Sequence, residues 1–386
     1  MLQAHFSRFF AANPGWLHFA AHSHHPWPDA TEAAQRQAWV DGATLADRKW
    51  TRVMGEVLPA AQRHVARLAG LSDSGQVAFA PNTHEFVLRL LSCLPSGRPA
   101  RVLASAHEFH SFRRQVRRLA EDGLVELEEV PGSPWGDFEA RFAARVAASA
   151  PDLVFVSQVF FDSGFVVRDL ARIVAAAPPE ALVAIDGYHT FCALPVDLSS
   201  IHRRAFWMAG GYKYAMSGEG CCFLAIPPGC DLRPRDTGWY AAFDRLAAAA
   251  GDRTGYAEGA HRFWGATFDP SGLYRFVAAM DWLVATGVAI GDIHAHSHAM
   301  QSRFLEGLGG LGLEGLRPDD RVLPEGVPRG NFLAFEREDA QDLHAKLLAA
   351  GIYVDRRDRR IRFGFGAYHD EAMVDRLLET LARTLR

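Results

Sequence analysis

The chain has 386 residues, 49% of them apolar and 22% charged, with a formal net charge of −4. That length can bury a large core and ordinarily divides into two domains. The near-neutral balance, with no basic run that looks like a binding tail, gives no electrostatic case for nucleic-acid binding, and no apolar stretch approaches the roughly 20 residues a membrane-spanning helix requires.

Five cysteines, Cys93, Cys192, Cys221, Cys222 and Cys230, form an odd set without metal-ligand spacing and read as reduced and mostly buried. The first residues, with His5, Arg8 and Asn13, lack the apolar core of a secretory signal, so a cytoplasmic protein is expected.

A short strand over residues 16–19 leads into Ala20-Ala21-His22-Ser23-His24-His25-Pro26-Trp27-Pro28. The prolines forbid helix, leaving an extended loop rich in imidazole. His22, His24 and His25 have none of the usual zinc spacings, so a polar pocket wall for an amino-acid substrate is favoured over a metal site; plain loop histidines are the bland alternative. Asp29 is expected to cap a helix over residues 30–47, followed by another over 56–69. A strand at 77–80, the turn Pro81-Asn82-Thr83-His84-Glu85 and a helix over 86–94 make a candidate anion site, because free backbone N–H groups and the helix dipole meet at the turn. Taken alone, Asn82 or Thr83 is an ordinary N-cap.

Strands at 102–105 and 153–157 follow, ending at His107-Glu108-Phe109-His110-Ser111 and at Ser157-Gln158. The polar tip Ser157-Gln158 is either a ligand edge or a strand-end turn. The apolar run 181–185 then reads as a buried parallel strand that delivers Asp186 at its carboxyl end. A second run, 205–209, ends in Gly210-Gly211-Tyr212-Lys213-Tyr214. A buried carboxylate is costly without a cationic partner, and ligands of α/β sheets bind where neighbouring strands end. One chemistry needs such a pairing: pyridoxal phosphate is held by a lysine as a Schiff base, and a buried aspartate keeps its ring nitrogen protonated. Separately, Asp186 would be a turn residue and Lys213 a solvated loop lysine. With His189 and Tyr212 beside them, the cofactor reading prevails.

The segments Asp186-Gly187-Tyr188-His189 and Gly211-Tyr212-Lys213-Tyr214 resemble the core of the fold-type-I, class V aminotransferase-like enzymes, and within them most resemble kynureninase. The resemblance covers nearly the whole chain. It implies an α/β fold with a mainly parallel central sheet flanked by helices and a small α+β C-terminal domain. Residues 1–50 would pack on the small domain and line the active site, 51–275 would form the large cofactor domain, and 276–386 the small one.

It further implies that Lys213 holds the cofactor and shuttles the Cα proton. Asp186 would face the ring nitrogen, with His189 orienting it or bonding near the ring hydroxyl. Tyr212 would donate to the phosphate and act as an acid later. Asn82 and Thr83 would cradle the phosphate, Phe109 stack on the ring, and Gln158 reach its edge. Trp239 and Thr267 would come from the neighbouring subunit of a homodimer with shared active sites. Arg362, inside an apolar strand, would grip the substrate carboxylate, and the loop of Ser23 and His24 would line the substrate pocket.

The chain departs from the pattern at Phe112, where the family has an aspartate, and at Asp269, where kynureninases have asparagine. The implied reaction is hydrolytic Cβ–Cγ cleavage of an aryl-keto amino acid. A class V aminotransferase, β-lyase or epimerase would use the same constellation. A cysteine desulfurase needs a nucleophilic cysteine well after the lysine, and none follows Cys230. A non-catalytic or metal-binding relative would leave Asp186 and Lys213 as relics.

Overall fold

The computed structural model describes residues 1–245 and 253–385. Its strands, in chain order, are β1 Leu17–His18, β2 Val77–Ala80, β3 Ala100–Ser105, β4 Val125–Val130, β5 Leu153–Ser157, β6 Leu182–Asp186, β7 Phe206–Gly210, β8 Cys222–Ala225, β9 Phe332–Glu336, β10 Ile352–Tyr353, β11 Asp355–Arg357 and β12 Arg360–Gly364. Seven of them form the central sheet in the order β2-β8-β7-β6-β5-β3-β4. Neighbours from β4 to β7 are parallel, whereas β8 runs antiparallel to both β7 and β2. Every residue of β2, β5, β7 and β8 is buried, as expected of strands whose two faces are both covered by helices.

The reversal at β8 positions the lysine. Residues 211–221 return the chain directly to the sheet, which is too short for the crossover that a parallel strand requires. Lys213 therefore lies in a tight loop at the carboxyl end of β7, beside the end of β6. The mostly parallel α/β sheet flanked by helices is the architecture the sequence implies.

The N-terminal segment reaches the same edge from the other side. β1 pairs in parallel with β10, and the Gly364 N–H of β12 donates to the Phe19 carbonyl at 2.6 Å. β12 is the middle strand of the antiparallel sheet β11-β12-β9. From there the imidazole loop runs inward until the His25 N–H donates to the Tyr212 carbonyl at 3.0 Å.

Asp29 does not cap its own helix, Ala30–Leu45, as the sequence suggests. Its φ of −55° is already helical, while an N-cap needs an extended backbone. The carboxylate instead accepts from the Ser7 N–H at 2.9 Å and the Arg8 N–H at 3.0 Å, tying the loop to the start of the helix Ser7–Ala12. The helix expected from residue 86 begins earlier, as Thr83–Ser92, because extended Asn82 accepts from the Glu85 N–H at 3.1 Å. Phe112 is 3% exposed and stacks on Phe155 with ring centroids 3.8 Å apart. Where the family carries an aspartate, this position is core. No single helix among the described residues is long and apolar enough to cross a membrane.

Candidate active site

The apolar run of β6 ends in Asp186, whose Oδ1 accepts from the Tyr188 N–H at 2.8 Å. Gly187 is required here, since a Cβ would come within 2.1 Å of the Trp207 indole. The Lys213 loop is equally tight: the Gly211 N–H donates to Cys221 O at 2.9 Å and the Ser217 N–H to Gly211 O at 3.0 Å. A Cβ at Gly211 would lie 2.3 Å from Ser217 Oγ. These constraints fold Lys213 inward, leaving it 6% exposed.

Asp186 and Lys213 line one narrow chamber together with Thr83, Phe109, Tyr188, His189 and Tyr212. The chamber shares Thr83, Phe109, Tyr188 and Tyr212 with an adjoining cleft of about 1120 Å³. The Lys213 Nζ lies 2.6 Å from His189 Nε2, and 5.2, 5.6 and 5.7 Å from the ring centres of Tyr188, Phe109 and Tyr212. His189 thus contacts the lysine, not Asp186.

Burial, reinforced by the Arg362 charge, brings the Lys213 amine down to about 7, although Asp186 and Asp355 pull the other way. Burial also raises the Asp186 carboxyl, against the Tyr188 N–H and the lysine charge. Both shifts favour uncharged groups. The chamber therefore holds a nucleophilic amine near neutrality and a carboxyl that a cation at its end of the chamber would ionise.

Arg362 is 2% exposed on β12, opposite Asp355 of β11 in the antiparallel register. Its Nε donates to Asp355 Oδ2 at 2.8 Å, one Nη2 hydrogen goes to the same oxygen, and one Nη1 hydrogen to the Phe161 carbonyl. Of the five guanidinium N–H groups, two have no partner among the described residues, and Arg362 itself lines neither the chamber nor the cleft. Arg362 is thus a paired cation with spare donors, not a free one.

Other positions expected from sequence are placed as follows. Thr83 starts its helix on the wall shared by chamber and cleft, and Asn82 lines the cleft. The Gln158 side chain turns away and accepts from Trp207 Nε1 at 3.2 Å; Ser157 lines the chamber instead. Successive strand residues face opposite ways, so only one of the pair can do so.

Tyr212 packs between Tyr188 and His24, at centroid distances of 4.8 and 5.0 Å. Ser23 donates to Asp355 Oδ1 at 3.2 Å. His24 is exposed on the Tyr212 ring, His25 is buried against Tyr368, and His22 is fully buried, so the three imidazoles diverge. No cluster of three or more metal-ligating side chains occurs among the described residues. Trp239 donates to Thr267 Oγ1 at 3.3 Å, and neither residue lines the chamber of its own chain.

Two further groups escape sequence reasoning. Glu108, fully buried, accepts from Ser105 Oγ, from the Ser157 N–H at 3.0 Å and from Ser157 Oγ at 2.6 Å. Burial pushes its carboxyl up to about 8. It ties the ends of β3 and β5 together directly before Phe109. The signal, in hindsight, was an acid flanked by apolar strand and aromatic residues with a serine at each strand end. Asp355, the partner of Arg362, looks in sequence like one more charge in an arginine-rich turn.

A parallel sheet with a lysine and an aspartate converging at the ends of adjacent strands defines the fold-type-I class of pyridoxal-phosphate enzymes. The family model for aminotransferase class-V matches residues 46–377, and the chain belongs to that family, whose members depend on pyridoxal phosphate. Among solved structures, it is similar to the cystine C–S lyase C-DES in complex with its product cysteine persulfide, with a TM-score of 0.81, 18% identity and coverage of 98% of this chain and 100% of that one.

It is also similar to a cysteine desulfurase of Thermococcus onnurineus NA1 (TM-score 0.79, 17% identity, 96% and 94% covered). The desulfurase CsdA of Escherichia coli gives 0.79, 17%, and 98% of each chain. At these identities the likeness shows the shared fold. None of the three is a kynureninase. No curated protein sequence matches the chain significantly.

Proposed function

We propose that this protein binds pyridoxal phosphate on Lys213 and acts as a lyase that breaks the bond between Cβ and its substituent in a free α-amino acid. The observation that carries the cofactor reading is the convergence of Lys213, Asp186 and the Phe109 ring in one chamber. The site fits the group: an amine near neutrality for its aldehyde, a half-buried carboxyl lacking a full cationic partner for its ring nitrogen, and a helix start at Thr83 for its phosphate.

When bound, pyridoxal phosphate supplies an electron sink that stabilises negative charge at Cα. The protein's residues do the rest. Asp186 keeps the ring nitrogen protonated, and Phe109 packs on the ring face. Lys213 would hold the cofactor and, as the neutral amine in the chamber, would carry the proton to and from Cα. His189, kept neutral by burial and the nearby cations, would orient Nζ through the hydrogen bond at its Nε2. Arg362 offers its two remaining N–H groups to the α-carboxylate. Trp239 and Thr267, bonded to each other and off the chamber wall of their own chain, would be supplied to the site by a second copy.

β-Elimination is favoured by the C–S lyase that shares the fold, whose product, a persulfide, carries the sulfur away on the leaving group. Such a reaction needs no enzyme cysteine. This chain has none after Cys230, and burial raises the thiols of Cys221 and Cys222. A second reading, kynureninase-like hydrolysis of a Cβ–Cγ bond, is supported by the aromatic surroundings of Arg362, with Phe332 and Phe161 centred 5.6 and 5.9 Å from its guanidinium.

The products distinguish the readings. The protein loaded with pyridoxal phosphate is incubated with cystine, serine, kynurenine and 3-hydroxykynurenine. Pyruvate and ammonia mark elimination, alanine with an aromatic acid marks hydrolysis, an intact 2-oxo acid marks transamination, and the D-isomer marks epimerisation. Absence of any cofactor absorbance after loading removes the whole proposal.

The lowered lysine predicts a pH profile. An ordinary lysine is almost wholly charged at pH 7, whereas one titrating at about 7 is half neutral there and fully nucleophilic about two pH units higher. The rate at which the protein captures pyridoxal phosphate should rise between pH 6 and 8 and then level off. A rise that continues past pH 9 would show that the amine is not desolvated as described.

A further inference from the structure

His22 is fully buried, yet neither of its ring nitrogens has a hydrogen-bond partner. Buried polar atoms are satisfied in the great majority of native structures, so both nitrogens of this ring are free to take a partner from outside the chain, water or ligand, and what sets His22 apart from His202, which is orphaned in the same way, is its place beside His189. The ring is held firmly. It stacks on Phe332 at 4.5 Å and 19°, and Gly364 gives it room, since a Cβ there would lie 2.0 Å from Nδ1. His22 lies behind the chamber wall rather than on it, next to His189, which lines the chamber. His22 Nε2 is 3.9 Å from the Asp355 carboxylate that holds Arg362, and its ring is 6.3 Å from that of His189, whose Nδ1 is also unpartnered.

We propose that His22 selects the substrate side chain, admitting amino acids whose side chain is uncharged and carries a hydrogen-bonding oxygen. The inference rests on the reading of this site as one for a free α-amino acid. Charge balance gives the first half of the selection. Arg362 and Arg357 share one carboxylate, Asp355, while Arg360 is paired with Asp162 at 2.6 Å. Two cations against one anion leave a single surplus positive charge, which the substrate α-carboxylate neutralises. A second carboxylate on the side chain would find no free cation among these residues.

The imidazole gives the other half. Burial and the nearby Arg362, His189 and Lys213 keep His22 neutral. A neutral ring offers one donor and one acceptor, which suits an amide, a hydroxyl or a carbonyl better than an alkyl group.

Three amino acids of nearly equal shape test this: L-asparagine, its apolar isostere L-leucine and its charged isostere L-aspartate. Each is titrated into the pyridoxal-phosphate-loaded protein, and its dissociation constant is read from the cofactor absorbance. Asparagine is expected to bind about tenfold more tightly than leucine, the effect of one well-placed hydrogen bond to a buried group, and more tightly than aspartate. In His22→Phe, which keeps the ring stack on Phe332, the asparagine-to-leucine ratio should fall to about one, with leucine itself changed less than twofold. His22→Gln, which retains a donor and an acceptor, should keep the preference.

A wild-type ratio near one, or a ratio that His22→Phe leaves unchanged, overturns the assignment to His22 and leaves the lyase reading standing. If none of the three perturbs the cofactor absorbance, the amino-acid reading falls and takes this inference with it. Should His22→Phe fail to fold, the wild-type ratio and His22→Gln still decide the question.

Discussion

Replacement of Lys213 by alanine is expected to abolish turnover, with a loss of at least about a thousandfold, because one side chain serves both as the covalent anchor and as the group that moves the Cα proton. The fold should survive. Among the described residues the amine's hydrogen bond is to His189 Nε2, and the Asp186 carboxyl that shares its chamber is already shifted by burial toward its neutral form, so no strong ion pair is broken. Borohydride reduction of the loaded wild type should leave a covalent mass on the peptide containing Lys213, and Lys213→Ala should show none while keeping its circular dichroism spectrum. Turnover retained by the variant would sink the assigned chemistry.

The largest stability effect is expected at Asp355→Ala. Arg362 is 2% exposed and leans on this carboxylate through two of its three engaged N–H groups. Removing one partner of a buried pair strands the other charge, which costs roughly 3–5 kcal/mol. The midpoint of denaturant unfolding should drop accordingly. Replacing both residues by apolar ones, Asp355→Leu with Arg362→Met, should recover much of the loss, since the desolvation penalty of the cation goes with it. If Asp355→Ala unfolds at the wild-type midpoint, Arg362 is not held by this pair, and the charge balance of the substrate site must be redrawn.

The two anchors of the site were legible because each obeys a local rule. Asp186 ends an apolar run at a glycine, and Lys213 sits in a glycine-rich turn after the next run, so strand ends alone bring them close. Phe109 and Thr83 follow from the same rule applied to β3 and β2. Gln158 failed because the pleat lets only one of two adjacent residues face the chamber, and the register of β5 gives that place to Ser157. Asp29 failed because a distant helix start, at Ser7 and Arg8, competed for its carboxylate and won.

Glu108 and Asp355, and the surroundings of His22, were hidden for a related reason. Their importance depends on partners remote in the chain: Ser157 for Glu108, Phe332 and His189 for His22, and Ser23 along with Arg362 for Asp355.

Periodicity and strand-end chemistry, both properties of short segments, were enough to reach an α/β sheet and its class of cofactor, and to nominate the lysine proposed to hold it. Only the tertiary structure decided where the imidazole loop lies, by pairing the first strand with the tenth and Ala20 with Gly364. That arrangement joins groups more than 300 residues apart, and no local pattern records it, because its stability comes from burial shared among segments that are individually ordinary.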